Sequence, residues 1–431
     1  MEYYTEISPV LMVSEMAESL VGSEIIKIAA EIRKMKEAGE KVYNYTIGDF
    51  DPKLFPIPEE FKQEIIQAYQ NGLTNYPPSN GVLELRQSIS RLLHTRLGLE
   101  YKDDQILVSG GSRPLIYAAY QTIVDPDDTV VFPVPSWNNN HYTHLSRGKM
   151  ISLETSPENN FMPGYLDIKP HISNTSLIAL CSPLNPTGTK FGRTQLKEIC
   201  ELILEENSKR PDMQKPVYLI YDQVYWMLNY TSDMHLDPVN LFPEMKNYTI
   251  YIDGMSKAFA STGVRIGWAT GPTKIIGKMK NILGHVGSWA PKPEQMAAAK
   301  FLKNDEAVSK YLENIKSKVY ERLNGLYNGF IKLKEEGYPV DAIKPEASIY
   351  LTVKIDLNGK KVKEGEPLKT ALETTNYLLS HSGIAIVPFY AFGASPTSPW
   401  YRISVGQCHL EEIDNFFEAL KEALNNIEVE E

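Results

Sequence analysis

Cysteine is scarce in this 431-residue chain, with 3 in all, at Cys181, Cys200 and Cys408. Thiols so far apart make neither a disulfide framework nor a metal-ligand cluster, and they fit a reducing, cytosolic setting. A basic excess is missing too. The 44 lysines and arginines are outnumbered by 54 acids, a formal net charge of −10, which argues against a nucleic-acid binder. No run of about 18 apolar residues occurs, so no membrane span is expected. The opening stretch MEYYTEISPV has no basic segment ahead of an apolar core, so no secretory leader is expected. There is no internal repeat and no low-complexity tract. Neither the dinucleotide fingerprint nor the ATP-type P-loop is present.

What is present is an ordinary globular composition, 42% hydrophobic and 23% charged, on a chain long enough for two or more domains. SEIIKIAAEIRKMKEAGE, from Ser23 to Glu40, spaces Ile25, Ile26, Ile28, Ala29 and Ile32 along one helical face. Ser23 suits its N-cap and Gly39 its end. From about residue 104 short apolar runs alternate with helix-like segments. QILVSG, TVVFP, MISLE, SLIALCSP, VYLIYD, YTIYID and VRIGWAT read as strands, and RPLIYAAYQTIV and RTQLKEICELILEENSKR as helices. Apolar strands between helices indicate a mainly parallel sheet covered on both faces. In such sheets ligands bind beyond the carboxyl ends of the strands. A long helical stretch, about Asp305 to Glu336, leads to a mixed C-terminal part. There ASIYLTVKI, GIAIVPF and YRISVG read as strands, DLNGKKVKEGEP as a polar surface loop, and LEEIDNFFEALKEALNNI as a closing amphipathic helix.

Chemically promising residues lie just after these runs or in loops between them. DGMSKAFASTGVRIGW, Asp253 to Trp268, sets Lys257 and Arg265 in a loop of small residues. Glycine there suits a backbone pressed against a ligand. Lys257 can form a Schiff base with an aldehyde, although a lysine taken alone is usually solvated. Arg265 can grip a phosphate with its planar fork or form an ordinary ion pair. Ser256 can add a hydroxyl to the same anion or cap the loop. VSGGSRPLIYAAY leaves a strand and opens a helix, so Gly111, Ser112 and Arg113 can hold an anion. A plain capped helix start explains that loop equally well. YLIYDQVYW ends a strand on Asp222, which can keep a ring nitrogen protonated or cap a helix. Tyr225 can donate a hydrogen bond or pack in the core. SPLNPTGT holds Asn185 between proline turns, able to aim its amide at a phenolic oxygen or simply to make the turn. PVPSWNNNHY offers Trp137, a plate for a ring or a core residue.

Taken together, strand-end Asp222 with Tyr225, SPLNPTG, DGMSKAFASTGVRIGW and WYRISVG resemble the fold type I pyridoxal-phosphate enzymes. Within them the resemblance is to the class I/II aminotransferase family, close in pattern to aspartate aminotransferases, and it covers nearly the whole chain. It implies an α/β fold with a large cofactor-binding domain, residues 50–320, built on a mainly parallel seven-stranded sheet between helices. Residues 1–49 and 321–431 are then a smaller α/β domain. The implied cofactor is pyridoxal 5′-phosphate, carried on Lys257, which later acts as the proton-shuttling base. Asp222 is implied to pair with the pyridine nitrogen, Asn185 and Tyr225 to bond the phenolic oxygen, and Trp137 to stack on the ring. The amides of Gly111 and Ser112, with Ser256 and Arg265, are implied to hold the phosphate, and Arg113 matches a variable position of that loop. Arg402 in WYRISVG is implied to clamp the substrate α-carboxylate, helped by Gly48 in YTIGDFDP, with Trp137 and Asn185 beside it. Tyr76 in NYPPSNGVLELR is implied to reach the phosphate of a neighbouring subunit, hence a homodimer with shared active sites. Pro135 and Pro186 match positions often preceded by cis bonds.

The implied function is ping-pong transamination between an amino acid and a 2-oxo acid, in the cytoplasm, within amino-acid biosynthesis. No metal, nucleic acid or membrane partner is expected. A lyase or decarboxylase on the same scaffold is the alternative, and a cofactor-binding regulator a remote one. NNNHY and VPFYAFG depart from the family pattern on the substrate side. Arg113 and Arg147 are, by location, the candidates to meet a second substrate carboxylate.

Overall fold

The computed structural model describes residues 12–20, 22, 24–363 and 365–428. Ser23, expected as a helix cap, lies outside them, as do the side chains of Ile25 and Ile26. The helix itself runs Glu24–Glu37, and Gly39 beyond it adopts φ +82°. Ile28 and Ile32 pack against Leu379 and Ala385. Strand β1 (Tyr43–Asn44) follows.

Each of the seven apolar runs becomes a strand of one sheet. These are β2 (Ile106–Ser109), β3 (Thr129–Val134), β4 (Lys149–Glu154), β5 (Thr175–Cys181), β6 (Tyr218–Asp222), β7 (Thr249–Gly254) and β8 (Gly267–Thr270). Their order is β2-β8-β7-β6-β5-β3-β4. Only β8 opposes its neighbours, running antiparallel to β7 and β2. Side chains alternate between faces along a strand, and both faces here are covered. Leu107, Val130, Phe132, Ala179, Ile220 and Ile250 meet helices Ser112–Ile123 and Thr273–Val286 on one side. Their chain neighbours Val108, Val131, Ile178, Leu180, Leu219 and Tyr251 meet helices Leu83–Leu97, Arg193–Lys209 and Lys292–Phe301 on the other. Two buried faces explain why the strands read as continuous apolar runs rather than alternating ones. Burying each such aliphatic or aromatic side chain contributes about 1.5–3 kcal/mol.

A helix of 31 residues, Asp305–Glu335, is capped by the Asn304 side chain. Its first turns, Ala307 to Leu312, belong to the main core, and Ile315 to Leu333 to a second one. That second core holds β9 (Val340–Ala342), β10 (Tyr350–Ile355), β11 (Ile384–Ala385), β13 (Trp400–Ser404) and the helix Ile413–Asn425, while β12 (Val387–Pro388), paired with β13, buries Val387 in the main core. The antiparallel order is β12-β13-β10-β9, while β11 pairs in parallel with β1.

Several boundaries differ from the sequence reading. GIAIVPF is two strands, because the chain changes partner at Ile386, from β1 to β13. ASIYLTVKI starts only at Tyr350 and VRIGWAT only at Gly267, because Ser348 (φ +66°) and Arg265 (φ +63°) leave extended geometry just before. DLNGKKVKEGEP is not wholly a surface loop, since Leu357 and Val362 are buried in the second core. LEE forms a short 3-10 turn, Leu410–Glu412, ahead of the closing helix. The bonds before Pro135 and Pro186 are cis, as the resemblance implies, and so is that before Pro183. Among the described residues no helix is long and apolar enough to cross a membrane.

Candidate active site

The carboxyl ends of β5 and β6, the loop after β7 and the helix start after β2 converge on a cavity of about 540 Å³. Gly48, Ser112, Arg113, Trp137, Asn185, Asp222, Tyr225, Ser256, Lys257, Arg265 and Arg402 all line it. Three expected residues do not. Gly111 lies just behind the wall as the N-cap of helix Ser112–Ile123. Tyr76 is on the surface, 81% exposed, with its ring edge to face on Trp289 at 5.2 Å. Arg147 is exposed and also stands outside the cavity lining.

One end of the cavity is built for an anion. Helix Ser112–Ile123 has no side-chain cap, so its first amides remain free for a ligand. Arg265 is held beside it, Nη1 donating to Thr262 O at 2.6 Å and Nη2 to Gly110 O at 2.9 Å. Gly111, at φ +100°, permits this approach, because a Cβ there would lie 2.2 Å from Arg265 Nη2. Ser112 Oγ donates to the carbonyl of Asp253 at 3.2 Å, tying the helix start to the end of β7. The Asp253 carboxylate is 1% exposed and accepts from Trp226 Nε1 at 2.8 Å; burial pushes its pKa up to about 8.

The middle of the cavity holds an amine and an acid. Lys257 Nζ donates to Gly48 O at 2.5 Å. Asp222 ends β6 at the cavity wall, with Oδ1 accepting from Val224 N at 3.1 Å. Burial raises its pKa to about 6, against the opposing pull of the Val224 amide and the Lys257 charge. A carboxyl in that state favours a cationic partner. Trp137 forms one side, its ring 6.0 Å from that of Phe392, and the Arg113 guanidinium lies over the Trp137 ring at 5.2 Å.

The far end is cationic and buried. Arg402 is 2% exposed, with Nη1 donating to Asn185 Oδ1 at 3.0 Å and Nη2 to Thr46 O at 2.6 Å. Its Nε has no partner among the described residues. Desolvation lowers its pKa, and the hydroxyls of Tyr350 and Tyr225 oppose that. A buried guanidinium with an idle donor is suited to an incoming anion. Tyr225 Oη lies 2.9 Å from Tyr350 Oη, and burial pushes the Tyr225 phenol well up.

Sequence reasoning missed Tyr350, Thr46, Asn139 and Thr262, all of which line the cavity. Tyr350 looks like any strand tyrosine in ASIYLTVKI. Thr46 acts through its carbonyl, which no side-chain pattern reveals. Thr262 lies inside the quoted lysine motif, and its hydroxyl donates to Asp49 Oδ1 at 2.7 Å.

These groups fit pyridoxal 5′-phosphate. There is an amine for its aldehyde, an acid for its ring nitrogen, and an uncapped helix start with an arginine for its phosphate. Fold and cavity together define a fold type I pyridoxal-phosphate enzyme. Residues 40–420 match the family model for aminotransferase class I and II, and the chain belongs to that family. It is a pyridoxal-phosphate-dependent aminotransferase, moving an amino group between an amino acid and a 2-oxo acid. It is similar to the aspartate aminotransferase of Bacillus subtilis (strain 168), 29% identical over 386 residues, 89% of this chain and 92% of that one. The bifunctional aspartate aminotransferase and glutamate/aspartate-prephenate aminotransferase of Petunia hybrida is 30% identical over 389 residues, 89% of this chain and 77% of that one. The crystal structure of the aspartate aminotransferase from Rhizobium meliloti superposes with a TM-score of 0.87 at 27% identity, covering 97% of this chain and 100% of the other.

Proposed function

We propose that this aminotransferase acts on dicarboxylic substrates, aspartate or glutamate with a dicarboxylic 2-oxo acid, in active sites shared by a cytoplasmic homodimer serving amino-acid biosynthesis. The observation that carries the substrate class is Arg113. Its guanidinium lies over Trp137 at 5.2 Å in the cavity wall. It also occupies the first turn of a helix, where the helix field disfavours a cation. Helix stability therefore does not account for its charge, whereas a second substrate carboxylate does. The relatives named for aspartate support the same class.

Pyridoxal phosphate, when bound, supplies an aldehyde and an electron-withdrawing ring. Lys257 holds the aldehyde carbon at rest. With its amine free, Lys257 would be the base for the proton on the substrate Cα. Gly48 O, bonded to Nζ, keeps that amine in place. Asp222 keeps the pyridine nitrogen protonated, Asn185 and Tyr225 bond the phenolic oxygen, and Trp137 stacks on the ring. Gly111, Ser112, Ser256 and Arg265 hold the phosphate, joined by Tyr76 of a second copy of the chain. Arg402, pre-oriented by Asn185 and Thr46 O, clamps the α-carboxylate bidentately. Residues 50–320 act as the cofactor domain, and residues 1–49 and 321–431 as the smaller one.

Initial rates with a panel of amino donors and 2-oxoglutarate test the substrate class. Aspartate or glutamate is expected to lead. Arg113→Met is expected to lower kcat/KM for that donor by about 10–100-fold, the size of one charge-assisted contact, and to leave aliphatic donors unchanged. Equal losses for every donor would assign Arg113 to the cofactor instead.

A further inference from the structure

We propose that Tyr350 is a positioning residue of this site: its hydroxyl donates to Tyr225 Oη, directing Tyr225's one proton to the cofactor's phenolic oxygen, while its ring backs the Arg402 guanidinium. This deepens the reading above and rests on the roles given there to Tyr225 and Arg402.

Tyr350 opens β10 and is 1% exposed. Three functional groups meet it. Its hydroxyl lies 2.9 Å from Tyr225 Oη, with the two rings edge to face at 5.5 Å. Arg402 Cζ stands 4.6 Å from its ring centroid. The strand register produces this contact, because Arg402 on β13 pairs with Thr352, two residues along β10 from Tyr350. Residues two apart share a face, so Tyr350 and Arg402 are diagonal neighbours on it. The third group is Gly48, where a Cβ would fall 2.6 Å from the Tyr350 hydroxyl oxygen. Glycine at 48 therefore admits the hydroxyl next to the carbonyl that holds Lys257.

Proton counting sets the direction of the hydroxyl pair. A phenol has one proton, and the two hydroxyls share one hydrogen bond. If Tyr225 spends its proton on the phenolic oxygen, the bond between the tyrosines has to come from Tyr350. Donation into Tyr225 polarises its O–H and strengthens the bond it makes onward. The ring face has a separate task. It gives the buried cation an electrostatically favourable wall that holds it in plane without neutralising it.

Absorbance titration of the cofactor-loaded protein separates the two tasks from a structural one. Weaker donation to the phenolic oxygen leaves its negative charge less stabilised, so the chromophore's linked nitrogen keeps its proton to higher pH. In Tyr350→Phe the titration midpoint is expected to rise by about half a unit, the scale of one hydrogen bond. The α-carboxylate is expected to keep its KM within about twofold, because a ring remains. Tyr350→Leu is expected to raise that KM about fivefold as well. Gly48→Ala, which displaces the hydroxyl, is expected to reproduce the midpoint shift. Tyr225→Phe serves as the reference for a lost donor. If it shifts the midpoint and Tyr350→Phe titrates like wild type, the proposal is wrong and the reading of Tyr225 stands. If neither shifts, the reading of Tyr225 fails and takes the proposal with it.

Discussion

Lys257 and Arg265 were recognisable in the sequence because both lie in a loop of small residues between two apolar runs, and Asp222 because it ends such a run. Their neighbours, and not their own identities, made them legible. Tyr350 and Thr46 were not, since one resembles a core strand residue and the other contributes only its carbonyl to Arg402. Replacing Lys257 by Ala is expected to lower turnover by more than about 100-fold with the melting curve of the apoprotein unchanged. Asp222 predicts a pH dependence. Its folded pKa is raised to about 6, above the unfolded value of about 3.9. Between those values the folded apoprotein holds a proton that the unfolded chain has lost, so its stability falls as pH rises from about 4 to 6. Asp222→Asn removes that contribution. Denaturant titrations of wild type and variant, compared across pH, should diverge within that window and run parallel above it. Parallel curves throughout would contradict the burial of this carboxyl.

At the scale of elements, the strands of the main sheet were the most legible feature, because cover on both faces leaves unbroken apolar runs in the chain. Boundaries were less so. Positive φ at Arg265 and Ser348 shortens two strands, and GIAIVPF divides between β1 and β13, a choice of partner that local sequence does not encode. Two close approaches between elements yield predictions. At Gly111 any side chain collides with Arg265, so Gly111→Ala is expected to weaken cofactor binding by at least about tenfold, read from the dissociation constant of pyridoxal phosphate. Helix Asp305–Glu335 meets the closing helix at Gly329, where a Cβ would lie 2.0 Å from the Phe417 ring. Gly329→Val is expected to cost about 1–3 kcal/mol by overpacking while leaving cofactor affinity as it is, because that contact lies in the second core. Loss of cofactor binding with unchanged stability would reverse that assignment.

At the scale of the molecule, one cavity draws its walls from both cores. Gly48 and Arg402 come from segments packed with the second core, and Asp222, Lys257 and Arg265 from the main sheet. The 31-residue helix spans both cores. A ligand gripped from both sides stabilises their union by mass action. The meeting of Arg402 with Thr46 O and of Lys257 with Gly48 O, across more than 200 residues of chain, was beyond any local reading of the sequence. The central claim is covalent attachment of the cofactor at one amine. Borohydride reduction of the loaded protein, followed by peptide mass mapping, tests it directly. The account predicts a single pyridoxyl-phosphate adduct on the peptide containing Lys257, absent from Lys257→Ala. An unmodified Lys257 peptide, or an adduct on another lysine, would contradict it.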